Sequence, residues 1–196
     1  MEARIHNSYK DEEIQTSMQG EKTAWDLTPL YSGDDDPRMA KERKEVERHV
    51  SAFANKWKTR TDYAQRPEIL KEALDEYNAL LENYGTSGKE GYYFWLRTQQ
   101  DQNNPELKAK YQKVNEFGIK LSNELEFFSL AISKIPLAEQ QNFISYAPLA
   151  PYKHFMETSF LEAKHLLSEA EEKLMSLKSQ TSYEKWVKMV SGFLAK

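Results

Sequence analysis

The sequence predicts an all-α protein, a bundle of several helices that includes one long helix at about residues 105–133. Apolar residues recur at spacings of three and four over most of the chain, as in helices that bury one face. Proline and helix-capping residues precede several of these stretches. No two segments alternate convincingly between apolar and polar residues, so strands that could pair are not predicted.

The chain is predicted to divide into a tail and one domain. Residues 1–22 are polar and aperiodic, which predicts a flexible tail. Residues 23–196 are predicted to form a single helical domain. The chain has 196 residues, of which 39% are hydrophobic and 12% aromatic. A chain of this length and composition can bury a substantial core without disulfides.

An extended strap is predicted at residues 23–31, between the tail and the helices. This segment holds several large apolar residues beside Pro29, and proline disfavours a helix there. We expect Trp25, Leu27 and Tyr31 to be buried and to anchor the strap.

Two helices are predicted to follow. Three aspartates and a proline at residues 34–37 are typical of a helix start, and an apolar stripe covers residues 46–57. A second start at residues 66–68 precedes a stripe over residues 70–84. Three glycines within residues 85–91 predict a flexible turn.

Residues 92–96 are the most hydrophobic run of the chain and are predicted to be helical. Burial in the core is the commoner explanation of such a run. Aromatic side chains can also line a peptide-binding wall, and Tyr92, Tyr93 and Trp95 are the candidates for that role.

The longest helix is predicted to begin at Asn104-Pro105-Glu106. Its seam has spacings of four and three and consists of Leu107, Tyr111, Val114, Gly118, Leu121, Leu125, Phe128 and Ile132. A helix with such a seam packs lengthwise against its neighbours. Phe117 and Phe127 lie off the seam, so a second face should also be covered.

Shorter helices are predicted at residues 136–144, at residues 155–161 and after a capping box at residues 168–171. The last segment carries one apolar stripe, formed by Trp186, Val187, Val190, Phe193 and Leu194. Such a stripe needs a cover. We therefore expect Trp186, Val190 and Phe193 either to fold back on the domain or to dock another one.

Composition excludes several classes of function. The net charge is −4 and there is no basic block, so no nucleic-acid partner is expected. No run of 18 apolar residues occurs, so no membrane partner is expected either. Cysteine is absent, which excludes thiol nucleophiles and thiolate zinc sites. We expect a cytoplasmic protein.

The residues provide no catalytic constellation. HExxH, phosphate-binding loops and GxSxG are all missing, so we predict no catalytic and no metal-binding residues. Histidine and glutamate share a helical face at His154 and Glu157, and again at His165 and Glu169. Surface hydrogen bonding explains these pairs better than a metal does.

Several segments nevertheless resemble those of oligoendopeptidase F-like zinc peptidases of the thimet-oligopeptidase clan. Residues 25–31 read WDLTPLY and resemble a WDLSxLY signature near the start of that family. Residues 124–130 read ELEFFSL and resemble a later FFxLEL-type segment. Residues 152–157 and 164–172 resemble a YxHFLE…HxLSExEE region.

The resemblance implies the N-terminal helical region of such a peptidase. Zinc is implied for the full-length family protein, where HExxH and a downstream glutamate follow this region. The implied partners are oligopeptide substrates and a catalytic C-terminal half. This region would form part of the substrate-channel wall, with Trp186, Val190 and Phe193 docking the catalytic half. The chain alone is predicted to be inactive.

A second hypothesis is a stand-alone helical module that binds a protein or a peptide without enzymatic activity. The terminal stripe would then cover a partner or a second copy of the chain. A small enzyme with a cryptic carboxylate site is a weaker hypothesis, since no carboxylate pair stands out from the many glutamates.

Overall fold

The computed structural model describes residues 25–165, 167 and 169–194, and these residues form eight α-helices and no β-strand. The predicted all-α fold is therefore confirmed. The predicted flexible tail at residues 1–22 lies outside the described residues, as does Ser168 of the predicted capping box.

The eight helices follow one another closely in the chain, with short 3-10 turns between some of them. They are α1 Arg38–Trp57, α2 Pro67–Leu81, α3 Gly88–Gln100, α4 Pro105–Ser133, α5 Leu137–Ser145, α6 Lys153–Glu162, α7 Glu169–Thr181 and α8 Tyr183–Leu194. The 3-10 turns are Asp62–Ala64, Gly85–Ser87, Ala147–Tyr152 and Ala163–His165. No described helix is both long enough and apolar enough to cross a membrane.

Helix α4 is the longest helix and packs against several others, and its predicted bounds, about residues 105–133, are confirmed. The side-chain oxygen of Asn104 accepts hydrogen bonds from the backbone N–H groups of Glu106 (3.0 Å) and Leu107 (3.1 Å), which caps the helix. Most of the predicted seam is buried, and α4 packs against α1, α3 and α6. Phe117 and Phe127, off the seam, are partly buried against the core, as predicted.

The main hydrophobic core lies where α1, α2, α4 and α6 meet. Phe128 is fully buried at its centre. The Phe128 ring lies 5.2 Å from that of Phe53, 5.3 Å from that of Tyr63 and 5.1 Å from that of Tyr77. Aromatic pairs at such separations add to the stability that burial alone provides. The apolar stripe predicted for α1 is therefore confirmed as a core face.

A smaller core joins the strap to the helices. It consists of Tyr31, Met39, Tyr93, Phe94, Leu107 and Val114. The Tyr31 and Tyr93 rings meet edge to face, with their centroids 5.3 Å apart. The strap therefore packs on α1, α3 and α4 through Tyr31.

The predicted turn at residues 85–91 is shorter and more tightly packed than the three glycines suggested. Helix α3 already begins at Gly88, so Gly91 lies inside it. Tyr84 and Gly85 adopt positive φ angles of 70° and 65°. A Cβ atom on Gly91 would lie 2.4 Å from Ser87 Cβ, and one on Gly118 would lie 2.2 Å from Ser87 Oγ. Both glycines thus let the turn contact α3 and α4 directly.

Gly118→Ala is expected to lower the free energy of unfolding by about 1–3 kcal/mol, because the new methyl group would collide with Ser87. Urea unfolding at equilibrium measures the change. Gly33→Ala is the control, since a Cβ there meets nothing within 4 Å. Adding Ser87→Gly should restore part of the loss in Gly118→Ala. An unchanged midpoint for Gly118→Ala would contradict the close approach.

Candidate functional site

Helix α3 separates the three aromatic residues predicted for a peptide-binding wall. Tyr93 points inward and is only 3% exposed, whereas Tyr92 is 42% and Trp95 43% exposed. Tyr92 and Trp95 therefore share the outer face of α3. Tyr93 belongs to the small core and to a polar cluster beneath the strap.

Tyr84 joins the two outer residues to form a row of three rings, which we call the aromatic ladder. The Tyr84 and Tyr92 centroids are 5.3 Å apart, with their planes at 28°. Those of Tyr92 and Trp95 are 5.8 Å apart, with their planes at 27°. The sequence pattern had placed Tyr84 at the end of the core stripe of α2. It is instead 47% exposed, because α2 ends at Leu81 and the chain turns at Tyr84 with a positive φ.

A polar cluster ties the segment between the strap and α1 to α3, on the opposite face of that helix. Tyr93 donates a hydrogen bond from its hydroxyl to Asp34 (2.8 Å). Arg97 donates two to the same carboxylate, from Nε (2.8 Å) and from Nη2 (3.1 Å). These bonds from Arg97 hold the pKa of the Asp34 carboxyl below its ordinary value. Burial, with the bond to Asp34, raises the pKa of the Tyr93 hydroxyl to about 12.

The aspartates predicted to start α1 divide their roles. Asp36 accepts hydrogen bonds from the backbone N–H of Arg38 and from that of Ser32, both at 2.9 Å, so it fixes the first turn of α1. Hydrogen bonds from Arg38 and Ser32 lower the pKa of the Asp36 carboxyl. Asp35 pairs with Lys110 of α4 at 2.8 Å, while Asp34 binds α3. The start of α1 is thereby attached to both helices.

The strap and α3 enclose a cleft of about 350 Å³. Its lining includes Trp25, Leu27, Tyr31, Tyr93 and Arg97. The prediction that Trp25 is buried was wrong, since 58% of this residue is exposed. Its carbonyl accepts a hydrogen bond from Gln100 at 2.8 Å, so the backbone anchors the strap here while the indole lies at the rim.

Two further ionic contacts lie beneath the strap. The Tyr31 hydroxyl donates to Glu42 (2.6 Å), which also pairs with Lys89 (3.0 Å). Arg43 forms a two-point contact with Glu90, including an Nε–Oε2 bond of 2.8 Å. Glu90 is only 5% exposed. These groups are paired with one another, so they hold α1 and α3 together.

Asp34→Asn is expected to lower the free energy of unfolding by about 1–3 kcal/mol at pH 7, because Arg97 loses its charged partner. The pKa of Asp34 is lower in the folded chain than in the unfolded chain. Its contribution to stability is therefore fully present above the unfolded-state pKa, about 4, and is lost as the pH falls through the folded-state pKa. Stability should therefore fall less steeply below pH 4 in the variant than in the original chain.

Urea unfolding from pH 7 to pH 2 measures this difference in slope. Asp35→Asn is the matched control, because the Asp35 side chain is 91% exposed and pairs only at the surface with Lys110. Equal acid slopes for Asp34→Asn and the original chain would show that Asp34 is not the group that titrates.

The described histidines do not assemble a metal centre. Among the described residues, no three His, Asp or Glu side chains lie together as a metal site requires. His154 is exposed, and Glu157 approaches Lys153 at 3.8 Å. His165 is also exposed, while the side chain of Glu169 lies outside the described residues. The side chains that the structure describes therefore do not form a zinc site.

The last two helices form a hairpin, and one apolar face of the second helix is largely exposed. We call Trp186, Val187, Val190, Phe193 and Leu194 of α8 the terminal stripe. Trp186 is 62% and Phe193 64% exposed, whereas Val190 is partly buried. Helix α8 lies near α4, since Lys188 Nζ is 5.6 Å from the centroid of the Tyr111 ring. The predicted docking residues thus share one largely exposed helix face.

Comparisons with known proteins agree with the resemblance seen in the motifs. A family model described as Oligopeptidase F matches residues 132–190. A curated oligoendopeptidase F homolog from Borreliella burgdorferi is 26% identical over 156 residues, which cover 80% of this chain. The match covers 25% of that protein, so the aligned part of the chain corresponds to about a quarter of the length of this relative. No solved structure gives a significant match.

Proposed function

We propose, from the confirmed resemblance to the N-terminal region of oligoendopeptidase F-like proteins, that this chain is the non-catalytic domain of a zinc oligoendopeptidase. The exposed terminal stripe is the observation that carries the proposal. Most of it lies within residues 132–190, the segment that the family model matches. An exposed stripe of this kind is typical of a surface that another domain covers.

The proposed partner is a catalytic half that supplies the chemistry. In this hypothesis that half would provide HExxH and a further glutamate, which would hold zinc, and zinc held there would supply Lewis-acid chemistry for peptide hydrolysis. The described residues of the present chain offer no zinc site, so in this hypothesis the ligands come from the catalytic half. We propose that the complete protein acts on oligopeptides in the cytoplasm.

The outer face of α3 is the proposed contribution to the channel wall. Tyr92 and Trp95 stand exposed on it, and aromatic residues are common in the walls of ligand sites. Tyr93 would contribute indirectly, since it fixes α3 to the strap through Asp34. The two outer residues would meet a peptide, and Tyr93 would hold them in position.

Two experiments test the proposal. Sequencing beyond codon 196 should reveal a continuing frame that encodes HExxH. The downstream polypeptide, co-expressed with residues 1–196, should then co-purify with this chain. Trp186→Asp should abolish that association, whereas Trp25→Asp, a change at another exposed tryptophan, should leave it intact. Association that survives Trp186→Asp would contradict docking through the terminal stripe.

The stand-alone module predicts a different set of results. A native stop codon after Lys196, with a stable dimer in light scattering that Trp186→Asp dissociates, would favour it. Hydrolysis of a quenched peptide by residues 1–196 with tightly bound zinc would contradict both hypotheses.

Trp186→Ala should change the free energy of unfolding of residues 1–196 by less than about 0.5 kcal/mol, because exposed side chains contribute little to the stability of the domain that carries them. Thermal or urea unfolding measures the change. A loss of about 3–5 kcal/mol would show instead that Trp186 is part of a core.

A further inference from the structure

The charged residues of α3 all face the strap and α1. The helix contains three of them, Lys89, Glu90 and Arg97. Lys89 pairs with Glu42, Glu90 with Arg43, and Arg97 with Asp34. Every charge on this helix is therefore engaged on one side.

The opposite side of α3 is uncharged. Tyr92, Trp95 and Gln99 are exposed on it, and Leu96 beside them is partly exposed. Tyr84 extends the same surface from the preceding turn, through its contact with Tyr92. Since 30% of the residues in the chain are charged, a helix face whose exposed residues, Tyr92, Trp95 and Gln99, are all uncharged is distinctive. Its complement is a partner segment without charge, because burying a charge against these rings would cost free energy.

The rings of the aromatic ladder are stepped. Separations of 5.3 and 5.8 Å between nearly parallel rings correspond to offset stacking, in which each ring covers only part of its neighbour. Each of the three residues is more than 40% exposed. A row of partly open ring faces fits flat apolar groups, such as the ring of proline or of an aromatic side chain.

The aromatic ladder also offers polar groups along its length. The hydroxyls of Tyr84 and Tyr92 and the indole N–H of Trp95 form no hydrogen bond within the part of the chain that the structure describes. Hydroxyl and indole groups of this kind can donate to the backbone carbonyls of an extended peptide, which remain free when the peptide forms no secondary structure.

We propose that the aromatic ladder binds extended, uncharged peptide segments through their proline or aromatic side chains. This inference deepens the proposed function and rests on it, since it names the class of peptide that the α3 wall would receive. Specificity would come from the absence of charge on this face as much as from the rings.

The test uses residues 1–196 labelled with ¹⁵N and three blocked peptides of equal length. One peptide is rich in proline and phenylalanine, one in aspartate and one in lysine. The first should shift the Trp95 indole N–H resonance more than those of Trp25, Trp57 and Trp186, and should bind more tightly than the other two. Stronger binding of either charged peptide would overturn the inference.

Variants locate the binding. Trp95→Ala and Tyr92→Ser should each weaken binding of the proline- and phenylalanine-rich peptide about tenfold, whereas Trp95→Phe should retain most of it. Tyr183→Ala is the control and should bind like the original chain, because Tyr183 is 70% exposed and belongs neither to the aromatic ladder nor to the terminal stripe. Because Trp95 is 43% exposed, its replacement should leave the circular dichroism spectrum unchanged.

The outcomes separate this inference from the proposed function. Peptide binding that is unaffected by both ladder variants would overturn the inference, while co-purification with a catalytic half would still support the function. Failure of that co-purification would count against the function, whichever peptide the aromatic ladder binds.

Discussion

Trp57→Ala is expected to lower the free energy of unfolding by about 3–5 kcal/mol. The Trp57 side chain is fully buried in the main core, where its ring meets that of Tyr63 edge to face at 5.9 Å. Its indole N–H donates to Glu76 at 2.9 Å. Lys56 Nζ and the guanidinium carbon of Arg60 lie 4.7 and 4.4 Å from the ring centroid, so the variant also loses two cation–π contacts.

Urea unfolding followed by circular dichroism measures this loss without depending on tryptophan fluorescence. Trp25→Ala is the matched control, because Trp25 is exposed and is anchored through its backbone carbonyl. We expect a change below about 0.5 kcal/mol for the control. Similar losses in both variants would contradict the difference in burial on which the prediction depends.

Arg43→Met is expected to lower the free energy of unfolding by about 3 kcal/mol, because it leaves Glu90 buried without its charged partner. The Arg43 side chain is itself only 33% exposed, so methionine can replace much of its packing. Equilibrium unfolding in urea at pH 7 measures the loss.

A double variant distinguishes a lost charge partner from lost packing. Arg43→Met with Glu90→Leu removes both charges and should recover most of the stability that Arg43→Met loses. Arg48→Met is the surface control, since Arg48 and its partner Glu45 are both at least half exposed. A double variant no more stable than Arg43→Met would show that the ion pair is not the cause.

The helices could be predicted because their signals are local. Helix α4 shows this best. Asn104 and the spacing of the seam lie within one segment, and in the structure Asn104 caps the helix and most of the seam is buried, as the sequence predicts. The helical structure of residues 92–96 was also predictable, because the sequence offered no second strand with which this segment could pair. Caps and periodicity depend on neighbouring residues, which the sequence displays directly.

The candidate site was less predictable because it depends on contacts between distant segments. Tyr92 and Tyr93 are adjacent, yet one is exposed and the other is buried against Tyr31 of the strap. The position of Tyr84 follows from a positive φ that its own residue type does not suggest. Trp25 is a large apolar residue of the kind usually found in a core. Here Gln100 donates a hydrogen bond to its backbone carbonyl, and its ring is exposed.

The attachment of the strap has a consequence for synthesis on the ribosome. Residues 25–37 emerge before the helices, but Asp34 binds Arg97 and Trp25 binds Gln100, which follow 63 and 75 residues later. At a synthesis rate of roughly 5–20 residues per second, several seconds pass before these partners have been made. During that interval Tyr31 can reach Glu42 of α1 but not Tyr93, and Asp34 lacks Arg97, so residues 25–37 are expected to be among the last to reach their native position.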